Sequence, residues 1–220
     1  EELKSSNTQR FVNFEILDET LSGESMFLKV ISKINSKLKF LYRKNSLLTP
    51  SLKRLLCNAL IQPHFDYACL TWQANLIQKF KTKLQVAQNK CIRFCLNLER
   101  MSHIGLPEFE KINWLNINDR FVQNLCATPF NYFKGNSPEY MREIFETAHQ
   151  GGIGTRSSHS RLIQPKRKTN IGQNALSYLG PQQWNKLPLH LKHEKNLNTF
   201  KHKLKTYFFD VLKNRERMGF

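Results

Sequence analysis

The sequence predicts a mainly α fold. Three observations carry that reading. Apolar residues recur at three- and four-residue spacing through four long stretches. Helix-start signals such as Thr49-Pro50 precede several of them. Alternating apolar–polar runs are confined to 11–18.

Residues 11–18, FVNFEILD, alternate loosely and read as a short strand. Ser22 or Ser25 is placed to cap the helix that follows. Over 24–47, Phe27, Val30, Ile31, Ile34, Leu38 and Leu41 form an apolar face, opposite Lys29, Lys33, Lys37, Arg43 and Lys44. Thr49 caps a second helix, with Leu52, Leu55, Leu56, Ala59 and Leu60 read as its inner face and Pro63 ending or kinking it. HFDYACLTW (64–72) reads as buried. A third helix spans 77–98, with Phe80, Leu84, Ala87, Cys91, Ile92 and Cys95 inward. Short helices follow from Leu106 to Trp114, from an Asn116 or Asn118 cap to Phe133, and from Ser137 towards Ala148. Gly and Ser in 151–161 mark a linker, and Leu179-Gly180-Pro181 marks a turn. A last basic helix covers 196–213, with Leu197, Phe200, Leu204, Phe208 and Leu212 on one face.

Charge narrows the function classes. The 220 residues carry 34 Lys and Arg against 17 Asp and Glu, a formal charge of +17. From Ser25 to Leu98 the only acid is Asp66, against thirteen basic residues. From Thr147 to His193 there is no acid and there are seven basic residues. Surfaces ordinarily interleave both signs, so these blocks point to a polyanion. No stretch approaches the roughly 20 apolar residues that cross a bilayer, so no membrane is expected. The five cysteines read as reduced thiols of an intracellular protein.

The order of segments ILDETLSGES (16–25), INSKLKFLYRKNSLLTP (34–50), LLCNALIQPHFDYACLTW (55–72), LQVAQNKCIRFCLNL (84–98), KINWLNINDRF (111–121), RKTNIGQNALSYLGPQQWNKLP (167–188) and LNTFKHKLKTYF (197–208) resembles the region after the catalytic core in non-LTR, LINE-type retrotransposon reverse transcriptases of the jockey/CR1 kind. The resemblance is collinear over nearly the whole chain. It implies a palm remnant over 1–23, a helical thumb-like domain over 24–148 that grips template–primer, and a tail domain over 149–220. The family's Tyr-Leu-Gly at the end of the palm is replaced here by Phe14-Glu15-Ile16. The implied partners are RNA, DNA or their hybrid, together with an upstream catalytic region of the same polyprotein, in the cytoplasm and nucleus.

Chemistry is expected elsewhere. Two-metal polymerisation needs paired carboxylates, and the family's aromatic-x-Asp-Asp turn is missing. Phe65-Asp66-Tyr67 offers one Asp, which suits an anchor to backbone or to a basic neighbour at a helix junction. Magnesium would belong to the catalytic core, so this chain is expected to have no catalytic residues and no cofactor. Gly151-Gly152-Ile153-Gly154 lacks the Lys of a phosphate loop, and Ser157, Ser158 and Ser160 lack a nucleophile elbow. Cys91, Cys95 and His103 are spaced wrongly for a zinc knuckle, so no metal site is expected.

The candidate contacts are therefore Lys29, Lys33, Lys37, Lys39, Arg43 and Lys44 on the first helix, and Arg161, Lys166, Arg167 and Lys168 in the tail. Lys and Arg meet phosphate oxygens as a point charge and a planar fork respectively. Phe40 and Tyr42 interleave with the first group, and an exposed ring there would stack on a base or sugar; Phe40 is expected in the core. Trp72, Trp114 and Trp184 sit in apolar surroundings and are read as core. The expected role is non-specific, non-catalytic grip on template–primer. The alternatives are a host nucleic-acid-binding adaptor and a helical protein–protein module.

Overall fold

The computed structural model describes residues 21–147 and 160–218. The chain is mainly α. The strand read at 11–18, the Phe14-Glu15-Ile16 stretch and most of the 151–161 linker lie outside the described residues. Among the described residues, extended pairing is limited to one antiparallel bridge, Thr147 to Leu162. No helix there is long and apolar enough to cross a membrane.

Helix α1 runs from Glu24 to Arg43 and is followed by a 3-10 turn at Asn45–Leu47. Gly23, rather than a serine, occupies the N-cap position with φ 72°, while the Ser22 hydroxyl accepts from the Glu24 amide at 3.2 Å. Gly23 is required twice over. Its φ lies where L side chains are strained, and a Cβ would meet the Trp72 carbonyl oxygen at 2.3 Å. Helix α2, Pro50–Leu60, starts as the sequence reads: Thr49 accepts from the Leu52 amide at 3.3 Å and Pro50 takes the first turn. Two short helices, α3 (Gln62–Asp66) and α4 (Cys69–Trp72), lead into α5, Gln78–Leu96. Then come α6, Leu106–Ile112, and α7, Ile117–Phe133, capped by Asn116 through a 2.9 Å bond from the Asp119 amide.

These elements enclose a first core. Met26, Phe27, Val30, Ile34, Leu38 and Leu41 of α1 pack with Leu84, Ala87, Cys91, Ile92, Phe94 and Cys95 of α5, and with Cys57, Phe65 and Trp72. One reading of the sequence is corrected here. Leu52, Leu55, Ala59 and Leu60 of α2 are exposed, Leu55 by 61% and Leu56 only in part; Lys53 and Cys57 face inward instead. Lys53 is 2% exposed. Its ammonium lies 5.1 Å from the centre of the Phe94 ring and donates to Asn97 Oδ1, so its stem is buried while its charge is satisfied.

The second core is built on the far half of α7. Cys126 and Phe130 pack with Phe145, Leu162, Trp184, Leu187, Leu191, Phe200 and Leu204. The contributing helices after α7 are α8 (Met141–Ile144, a single turn), α10 (Leu176–Lys186), α11 (Leu189–Lys192) and α12 (Leu197–Arg217), while α9 (Asn170–Asn174) precedes α10 and buries no residue. Phe130 stacks on Phe200 at 4.5 Å between centroids, and Phe133 on Trp184 at 5.4 Å. α7 thus belongs to both cores, with Ile117 in the first and Phe130 in the second.

The turn read at Leu179-Gly180-Pro181 is also corrected, because these residues lie inside α10. The Phe145 ring presses against the Gly180 backbone, where a Cβ would come within 2.9 Å of Cε1. Helix packing around Trp184 thus overrides two local helix breakers. Trp72, Trp114 and Trp184 are buried, and each indole N–H has a partner: Tyr67 O, Asn58 Oδ1 and Ser160 O respectively.

All five cysteines are free and buried. Burial raises the thiol pKa of Cys69 to about 11 and of Cys126 to about 12, and pushes Cys91 upward too; at Cys95 a hydrogen bond with Cys57 leads, followed by burial.

Two outcomes follow from this packing. Gly23→Ala should destabilise by about 2 kcal/mol or more and lower Tm by about 4–8 °C. Gly135→Ala, at φ 71° with open space around its Cβ position, should cost only about 1 kcal/mol. Equal losses in thermal unfolding would remove the Trp72 carbonyl as the cause. Secondly, at pH 8 roughly one Cys69 in a thousand would be thiolate, so the native protein should resist iodoacetamide while the denatured chain takes up five labels. Rapid labelling of native protein would show that the thiols are not enclosed.

Candidate nucleic-acid interface

α1 owes its two faces to its spacing. With six apolar side chains turned to α5 and its neighbours, the opposite side must meet water. Lys29, Lys33, Lys39, Arg43 and Lys44 are exposed there. At 100° per residue, Lys29, Lys33, Phe40 and Arg43 fall within an arc of roughly 80°, spread over about 21 Å of helix. Phe40 is 58% exposed, which corrects its expected place in the core. Leu38 and Leu41 fill the inward positions on either side of it, leaving Phe40 on the charged face. Tyr42 is partly exposed and sits edge-on to Phe94 at 4.8 Å; burial and the surrounding cysteines raise its pKa, against a lowering by Arg93.

Lys37 behaves differently from its neighbours. It is half-buried, and its Nζ donates to the Leu60 carbonyl at 3.0 Å. It therefore satisfies an orphan carbonyl at the C-terminus of α2 and complements that helix's dipole. Of the row Lys29, Lys33, Lys37 read from the sequence, the first two are exposed and the third is half-buried against the end of α2.

Beside Lys29 and Lys33 lies an apolar pocket of about 180 Å³ between α1 and α3, lined also by Met26, Val30, Pro63, His64 and Tyr67. Burial, then Lys37 and Lys33, lowers the His64 pKa. A neutral imidazole there adds no further charge to the basic face at neutral pH.

The tail cluster lies on a segment outside helix and strand, bridged at Leu162 to Thr147. Asn185 holds Leu162 at both polar groups, accepting its amide at 3.1 Å and donating to its carbonyl at 2.8 Å. The Ile163 amide donates to Glu146 O at 2.8 Å. At the other end, Gln173 Nε2 donates to Arg167 O at 3.2 Å, and Thr169 caps α9. Arg161, Lys166, Arg167 and Lys168 lie on this pinned segment and are exposed. Leu162 belongs to the second core and α1 to the first, so the two basic groups stand on separate cores.

Asp66 anchors a basic neighbour at a helix junction. Its carboxylate takes a fork from Arg120, with Nε at 2.6 Å and Nη2 at 2.5 Å, and a third bond from Asn124 Nδ2 at 3.0 Å. Three donors engage it in a structural role. Cys57, Cys91 and Cys95 gather in the first core while His103 is exposed. Among the described residues no group of three or more His, Cys, Asp or Glu is arranged to hold a metal.

Sequence reasoning missed the inward turn of Lys53 and of Lys192, whose Nζ lies 5.6 Å from the Trp184 ring centre. It also missed a polar pocket between α5, α6 and α7. The signal for that pocket was present as a concentration of Gln and Asn at 78–89 and 116–118, residues that charge counting ignores. No protein-family model, curated protein or solved structure matches the chain.

Proposed function

We propose that this chain grips nucleic acid without sequence preference and without catalysis, as the post-catalytic region of a LINE-type reverse transcriptase. The observation that supports it most is the outward face of α1, where Lys29, Lys33 and Arg43 surround an exposed Phe40. Charges at this spacing meet backbone phosphates, and a ring among them stacks on a sugar or base irrespective of sequence. The rigid seat of α1 on the first core means that little ordering entropy opposes binding. The exposed basic residues at 161–168 add a second contact. Magnesium and the paired carboxylates of polymerisation belong to an upstream catalytic region in this reading.

A second reading, a helical protein–protein module, is favoured by the exposed Leu52, Leu55 and Ala59 on α2. Salt dependence separates the two.

Binding to an RNA/DNA hybrid should weaken linearly in log–log coordinates with salt, each neutralised phosphate contributing about 0.9 to the slope. Lys29→Gln with Lys33→Gln should lower that slope by about two and weaken all sequences alike. Lys37→Gln should leave the slope in place and reduce thermal stability instead. An unchanged slope in the double variant would make α1 a solvated face only.

A further inference from the structure

The pocket between α5, α6 and α7 has a volume of about 370 Å³, within the range of small-ligand sites. Its walls are dominated by carboxamides. Gln85 is held by three bonds: its Nε2 donates to Gln88 Oε1 at 2.9 Å and to Asn89 Oδ1 at 2.8 Å, and its Oε1 accepts the Ile117 amide at 2.9 Å. That network orients Asn89 before any ligand arrives. Gln78 and Asn118 are exposed on the pocket wall, and their side chains make no hydrogen bond among the described residues. Lys81 is half-buried there, and burial lowers its pKa. Phe109, partly buried, also lines the pocket. No Asp or Glu lines the pocket.

Each element of this lining selects. A carboxamide offers a donor and an acceptor side by side in one plane, which matches the N6/N7 edge of adenine. An aromatic wall accepts the flat face of a base. A desolvated ammonium with no carboxylate nearby favours an anion. We propose that this pocket takes one unstacked nucleobase of a single strand, adenine ahead of the others, with Lys81 meeting its phosphate. This rests on the chain being a nucleic-acid-binding protein. It adds a single-strand site with base preference, on elements separate from the basic face of α1.

The test is titration of the ¹⁵N-labelled chain with AMP, CMP, GMP, UMP and ribose 5-phosphate, followed by amide shifts. AMP should move Gln78, Lys81, Asn89 and Asn118, and should saturate at a concentration at least threefold below the other nucleotides. Ribose 5-phosphate should bind at least tenfold more weakly than AMP. The Gln78→Ala/Asn118→Ala variant changes two exposed side chains and should keep the native spectrum. It should lose at least fivefold in AMP affinity and retain the salt slope of hybrid binding. Ribose 5-phosphate matching AMP would reduce the site to phosphate attraction and overturn the proposal. So would AMP shifts that the double variant leaves intact, or no shifts in the pocket at all. Hybrid binding that persists without AMP binding sinks only the pocket, and AMP binding without hybrid binding sinks only the grip on α1.

Discussion

The Arg120–Asp66 fork is the interaction on which the arrangement depends. Arg120 lies in the first half of α7, and Asp66 ends α3 in the first core. Asn124, one turn further along α7, bonds to the same carboxylate. A planar guanidinium on a carboxylate sets both distance and orientation. Once α7 is set, its far half presents Cys126 and Phe130, and the second core assembles on them. Gln123 extends the chain of constraints by donating to Lys201 O of α12 at 2.7 Å. Lys205 and Lys213 of α12 return to Asn113 and Glu110 around α6. The segment after 160 is thereby tied to both cores through α7 and α6.

The sequence was informative where one force decided the outcome. α1, α5 and α12 have strong periodicity, and most of their buried residues lie on the faces the spacing indicates, although Gln88 and Phe94 of α5 are buried as well and only Phe200 and Leu204 of α12 are fully enclosed. Thr49 and Asn116 cap helices because the motif is local and complete. Asp66 was readable because it is the one acid in a long basic stretch. Reading failed where two forces compete. On α2, counting leucines selects Leu52 and Leu55, but the Cys57 thiol fits the crowded space beside Cys91 and Cys95, and Lys53 can snorkel along Phe94. In α10, Gly180 and Pro181 are strong local breakers, yet contact with Phe145 and burial of Trp184 outweigh them. Phe40 was misplaced because a large ring is assigned to the core by default.

The candidate sites divide the same way. The basic residues of α1 and of 161–168 are legible as charge. What charge cannot convey is that Lys37 bonds to Leu60 O while its neighbours remain outward. The carboxamide pocket is legible only as geometry, since Gln78 and Asn118 are separated by forty residues and meet through the packing of α5 and α7. In the combined account, a charged helix face supplies affinity without sequence information, and a carboxamide-rich pocket supplies selectivity. Phosphate contacts and base contacts divide their labour in this way generally.

The most direct measurement of the central claim is photo-crosslinking of the chain to an RNA/DNA hybrid carrying 4-thiouridine, with the attached peptides mapped by mass spectrometry. The account predicts adducts concentrated on the outward face of α1, at Phe40 and the lysines around it, with further adducts between 161 and 168. Adducts confined to the α2 leucine face, or spread evenly over all exposed lysines, would contradict it.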